Sequence, residues 1–135
     1  MNNDVQGIAS MAGTQTAGLA FGGSSYPPLT RYNLSEEYNG SSWSEGNNLN
    51  QSRYSVAGCG TQTAGLTCGG RQISPSNDPG SVTGNTEEYD GSSWTESGDM
   101  STGRFDTSSM CGTQTAAVFF GGRPKVSGGG LTNVE

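Results

Sequence analysis

Short apolar runs recur along this chain, and each is closed by a pair of glycines. Residues 18–21 (GLAF) precede Gly22 and Gly23, residues 65–68 (GLTC) precede Gly69 and Gly70, and residues 117–120 (AVFF) precede Gly121 and Gly122. No stretch places apolar residues at helical spacing, so the pattern predicts strands and almost no helix. In the middle copy, strands are expected at about 54–59 and 63–69, with Gly60-Thr61-Gln62 turning between them. Two more follow, at about 86–89 and from Ser93 onward, and the first strand of the chain is expected at about 5–12. Asn39-Gly40 and Asp90-Gly91 predict two-residue hairpin turns with positive φ at both positions. Trp94 and Leu66 are expected to supply much of the packing between sheets.

The runs belong to a larger repeat. GTQTAGLAFGG (13–23), GTQTAGLTCGG (60–70) and GTQTAAVFFGG (112–122) are spaced by 47 and 52 residues. A second block, EEYNGSSWSEG (36–46) and EEYDGSSWTESG (87–98), follows the first two copies. Self-similarity at about 40–50 residues is the period of propeller blades. The repeats span about 4–47, 48–99 and 100–135, and the last stops where Glu135 aligns with Glu36 and Glu87.

The order of these features resembles the kelch repeat. A glycine pair is followed by Tyr38 or Tyr89, then by Trp43 or Trp94, then by Arg53 or Arg104. The resemblance covers essentially the whole chain, with a shorter Tyr-to-Trp turn than the common pattern. In style it is closer to kelch-like arrays of bacterial and phage proteins. It implies an all-β fold of kelch-type β-propeller blades, each a four-stranded antiparallel sheet. The chain would hold about two and a half to three blades. Closed propellers need roughly four to eight. Either copies associate head to tail, closing a ring or growing a filament, or the sequence is a piece of a longer array. Assembly is the expectation, with a homo-dimer of about six blades as the leading form.

Composition changes this picture little. Apolar residues make up 30% of the chain, and the 23 glycines sit at fixed repeat positions rather than in low-complexity runs. No apolar run is long enough for a transmembrane helix, and the first ten residues lack the basic start and apolar core of a signal peptide. Cys59, Cys68 and Cys111 read as small buried thiols. There is no CxxC and no histidine, so no metal is expected. The same lack of histidine excludes Ser-His-Asp and Cys-His catalysis and the copper chemistry of kelch-type oxidases.

Comparison of the copies points to one variable face. The Gly-Thr-Gln and Asn/Asp-Gly-Ser turns are nearly constant, whereas the segments at 24–35, 71–86 and 123–134 differ widely. In a four-stranded meander these segments share a face with the connections between repeats. All five prolines lie in them. The six basic residues also sort there: Arg31, Arg71, Arg123 and Lys125 in the segments, Arg53 and Arg104 at the margin. In a chain of net charge −6 this allows a local positive field. With Tyr26 and Tyr32 they form a candidate ligand face for anionic or glycan partners. The alternative is that Arg53 and Arg104 are structural members of the repeat.

Other chemistry is not expected. Glu36-Glu37 and Glu87-Glu88 resemble paired carboxylates, but neighbours on a strand point to opposite faces, so they read as sheet-surface residues. No acid/base pair stands out for glycan hydrolysis, the glycine pairs open no helix for a phosphate, and the acidic balance disfavours nucleic acid. The expectation is therefore a non-catalytic, cofactor-free module that assembles and recognises a protein or glycan. By resemblance, its setting is a virion or an extracellular surface. A carbohydrate-binding lectin with repeated shallow sites is the alternative.

Overall fold

A computed structural model describes residues 5, 10–72, 81–106 and 110–124. The first repeat contains β1 (Ser10–Thr14), β2 (Ala17–Phe21), β3 (Ser24–Ser25), β4 (Thr30–Arg31), β5 (Ser35–Tyr38) and β6 (Trp43–Glu45), and β7 (Arg53–Tyr54) follows it. The second contains β8 (Ala57–Thr61), β9 (Ala64–Cys68), β10 (Arg71–Gln72), β11 (Thr86–Tyr89) and β12 (Trp94–Glu96). The third contributes β13 (Met110–Thr113) and β14 (Ala116–Phe119). The fold is all-β, with no helix among the described residues.

Sheet one is the antiparallel meander β1-β2-β5-β6, sheet two is its copy β8-β9-β11-β12, and sheet three is the pair β13-β14. The hairpin β3-β4 rises between β2 and β5, and β10 pairs back to β7, tying the second repeat to the end of the first. None of the sheets is closed.

The turns differ from the sequence expectation in ways the backbone explains. Thr61 pairs with Ala64, so the turn is Gln62-Thr63 and Gly60 lies in the strand. Gly13, Gly60 and Gly112 have φ of +99°, +101° and +128°. A Cβ on each would stand 2.1–2.2 Å from the carbonyl oxygen of the alanine across the ladder, so only glycine fits. The strand expected at 54–59 starts at Ala57, because Ser55 turns the chain at φ +54°.

The Asn39-Gly40 and Asp90-Gly91 turns are not two-residue turns. Tyr38 pairs with Trp43 and Tyr89 with Trp94, leaving four residues in each loop. Positive φ falls on Gly40 and Gly91 but not on Asn39 or Asp90. The side chain organises the loop instead. Asn39 Oδ1 accepts from the Ser41 and Ser42 amides at 3.0 Å, and Asp90 Oδ1 accepts from Ser92 and Ser93 at 2.8 and 2.7 Å.

Successive sheets pack face to face, with β1 beside β8 and β8 beside β13. Leu19 and Phe21 of sheet one meet Tyr89 and Trp94 of sheet two, with Leu49 and Val56 closing the cluster. The Phe21 and Trp94 rings meet edge to face at 5.0 Å. Burial of each such side chain is worth about 1.5–3 kcal/mol. Sheet two offers glycines where it approaches closest: a Cβ at Gly58 or Gly65 would lie 2.3 Å from Phe21 or 2.8 Å from Leu19. Between sheets two and three the cluster is smaller: Ala57, Cys68 and Phe119, with Met100 and Met110 alongside.

Candidate functional site

Arg53 and Arg104, expected at the margin of a ligand face, are both fully enclosed. The cause is local. Each follows the connection out of one sheet and enters the joint with the next. The Arg53 carbonyl accepts from the Gly23 amide and the Arg104 carbonyl from the Gly70 amide, both at 2.8 Å. The Arg53 guanidinium turns inward, donating to Glu87 Oε1 at 2.5 Å and to the Asn85 carbonyl at 2.9 Å. Arg104 donates to the Gly121 carbonyl at 3.0 Å. Burial pulls the Arg53 pKa below the usual arginine range, while Glu87 opposes it. These arginines join sheets and are closed to a surface ligand.

The glutamates are likewise not surface residues throughout. Glu36 and Glu87 are buried. Glu87 also accepts from the Asn50 amide at 2.7 Å and the Asn50 side chain at 3.0 Å, so three groups from the preceding connection converge on it. Their neighbours do point the other way. Glu37 accepts from the Tyr89 hydroxyl at 2.5 Å and Glu88 from the Ser97 hydroxyl at 2.6 Å. Burial, and then the Glu37 carboxylate, pushes the Tyr89 phenol up.

The remaining candidates lie on the loop side. Tyr26 stands out into solvent, and the Tyr32 hydroxyl bonds Ser25 Oγ at 2.9 Å. Arg31 and Arg71 are half-buried. The Arg31 guanidinium lies 5.3 Å from the Tyr54 ring centre, and that of Arg71 lies 3.6 Å from the Phe105 ring centre. Arg123 is exposed, with Nε 4.0 Å from Asp106 Oδ2. Lys125 lies outside the described residues. Tyr54 and Phe105 were missed from sequence, although each directly follows one of the repeat arginines.

Cys59 and Cys68 are buried, but Cys111, expected to be so, is exposed on sheet three. Burial, and then the charge of Cys111, pushes the Cys59 thiol up. Between sheets two and three an apolar cleft of about 240 Å³ opens beside Leu66, Cys68, Met100 and Phe119. Among the described residues no group of His, Cys, Asp and Glu could hold a metal ion.

No family model matches the chain, and no curated protein matches its sequence. Its fold is similar to solved structures, among them the structure of YjhT, with a TM-score of 0.75 over 93% of this chain at 13% identity. The match covers 41% of the YjhT chain, so this chain spans about two-fifths of that length.

Proposed function

We propose that the chain is a non-catalytic unit of a kelch-type β-propeller, in which the sheets are blades. It works by associating head to tail with further copies and by presenting the variable loop face to a partner. A virion or extracellular surface is the setting its sequence style suggests.

The observation that carries this reading is a repeated joint whose two outer faces stand at least partly exposed. Gln62, in the first hairpin of sheet two, donates to the Tyr38 carbonyl of sheet one at 3.0 Å. Gln114 of sheet three does the same to the Tyr89 carbonyl at 2.8 Å. Gln15 holds this place on sheet one, where it is exposed and without a partner among the described residues. The apolar faces run in parallel. Leu19, Leu66 and Val118 are equivalent and are 0%, 7% and 46% exposed. Phe21, Cys68 and Phe120 are equivalent and are 1%, 3% and 42% exposed.

At the opposite end, Tyr38 and Trp43 are half-exposed and stack at 5.0 Å and 35°, as Tyr89 and Trp94 do inside the fold. The Tyr38–Trp43 face of one copy thus matches the Val118–Phe120 face of another. Two copies of about three blades fall within the range of closed propellers. Sedimentation equilibrium tests it: a dimer or larger closed form is expected, weakened by Trp43→Ala. A strict monomer at high concentration overturns it.

A lectin-like role is the second reading, favoured by the exposed Tyr26 ring beside arginines on the loop side.

A further inference from the structure

The loop-side arginines are not scattered. Arg31 of the first repeat lies over Tyr54, and Tyr54 pairs with Arg71 across β7 and β10. Arg71 in turn lies over Phe105, and Phe105 exchanges backbone hydrogen bonds of 2.8 and 3.0 Å with Arg123. The five residues form one ladder, Arg31–Tyr54–Arg71–Phe105–Arg123, that crosses all three repeats. Cation and ring alternate along it.

We propose that this ladder is a binding track for a linear acidic polysaccharide of the uronate type. This rests on the recognition half of the function proposed above. A guanidinium held over a ring is already partly ordered, and its planar fork matches a carboxylate bidentately. Less conformational entropy is then lost on binding than a free arginine would lose. The overall charge of −6 makes three cations in one line a local exception. Among the described residues, Asp106 lies near Arg123 at the end of the ladder.

A glycan fits better than an acidic peptide. Tyr26 lies in the loop of the β3-β4 hairpin, beyond Arg31, and offers a bare ring to the C–H face of a sugar. A peptide would need side-chain pockets for specificity. Clefts among the described residues lie between sheets two and three and beside β2 and β5. A polymer whose charges repeat can meet more than one of these cations at once, with several weak contacts acting together.

The test is calorimetric titration of the full chain with oligogalacturonate, with the same oligomer fully methyl-esterified, and with polyglutamate. Oligogalacturonate is expected to bind, weakening as salt is raised. The ester is expected to fail. The double variant Arg31→Gln, Arg123→Gln, which leaves the more buried Arg71 in place, is expected to lose at least about tenfold in affinity with an unchanged melting temperature. Tyr26→Ala, at an exposed loop tip, guards against misfolding and is expected to weaken binding as well. Equal binding of the ester, an unaffected double variant, tighter binding of polyglutamate, or no binding at all would each overturn the track. The mass in solution is measured on the same samples. Chains that assemble but bind no uronate defeat the track alone, and monomers that bind it defeat the assembly alone.

Discussion

The joint between sheets one and two and the joint between sheets two and three share their first-hairpin strands, yet among the described residues only the first is closed by an aromatic pair. In the first, Tyr89 and Trp94 come from β11 and β12 and cover Leu19 and Phe21. In the second, the described part of sheet three ends at its first hairpin, and a cleft of about 240 Å³ stands beside Leu66 and Cys68. The first hairpin therefore sets the spacing of the sheets, and the second hairpin supplies the aromatic pair that closes the joint. Stability in such a stack depends on the interfaces between repeats as well as on each repeat.

The largest effect is expected from Trp94→Ala, which empties the filled joint and should lower stability by about 3–5 kcal/mol in denaturant titration. Trp43→Ala, at the half-exposed equivalent, should cost about 1 kcal/mol or less in the monomer. Equal losses would break the comparison, since they would mean that the two aromatic pairs are equally covered.

Arg53→Met acts on the same joint through charge. It leaves Glu87 buried without its cation, at a cost of about 3 kcal/mol. Adding Glu87→Met should recover most of that loss, because the burden is the uncompensated carboxylate rather than the absence of the pair. A double variant as unstable as the single one would show that the hydrogen bonds to Asn50 and Asn85 carry the joint instead.

Cys68→Phe sharpens the comparison from the other side. Phenylalanine stands at this repeat position in the first and third copies, as Phe21 and Phe120. The cleft beside Cys68 gives the ring space, so a gain of about 1 kcal/mol in melting experiments is expected. A loss would mean that the cleft is too shallow to take a ring.

The sequence already contained the strand sequence and the meander, because the repeat placed apolar runs, glycine pairs and turns at fixed offsets. β11 falls where Thr86–Tyr89 was expected. It also showed which segments vary. It did not show the direction of the charged side chains. Arg53 and Arg71 look alike in composition, but one follows a connection into a joint and the other follows a glycine pair onto the loop side. Glu87 and Glu88 are adjacent and identical, and only strand alternation against a packed neighbour decides which is buried. The Gln of GTQT offered no chemistry as a turn residue; its role exists only between sheets, where Gln62 and Gln114 reach a carbonyl some 24 and 25 residues back.

The smallest expected effect concerns the two Asx-closed loops, which differ by one atom type. Asp90 accepts from the Ser93 and Ser92 amides, and those bonds hold its carboxyl below the usual carboxylate range. A carboxyl depressed on folding stabilises the fold fully above its unfolded value of about 3.9 and loses that contribution as pH falls through the lower folded value. Asn39 makes the same two bonds in sheet one with a neutral amide. Asp90→Asn should therefore leave the neutral-pH melting temperature unchanged and reduce the drop on going to acid. Other carboxylates titrate in that window, so the readout is the difference between the two proteins melted side by side. Parallel acid profiles would mean that the charge on Asp90 adds nothing to a loop that its geometry alone already holds.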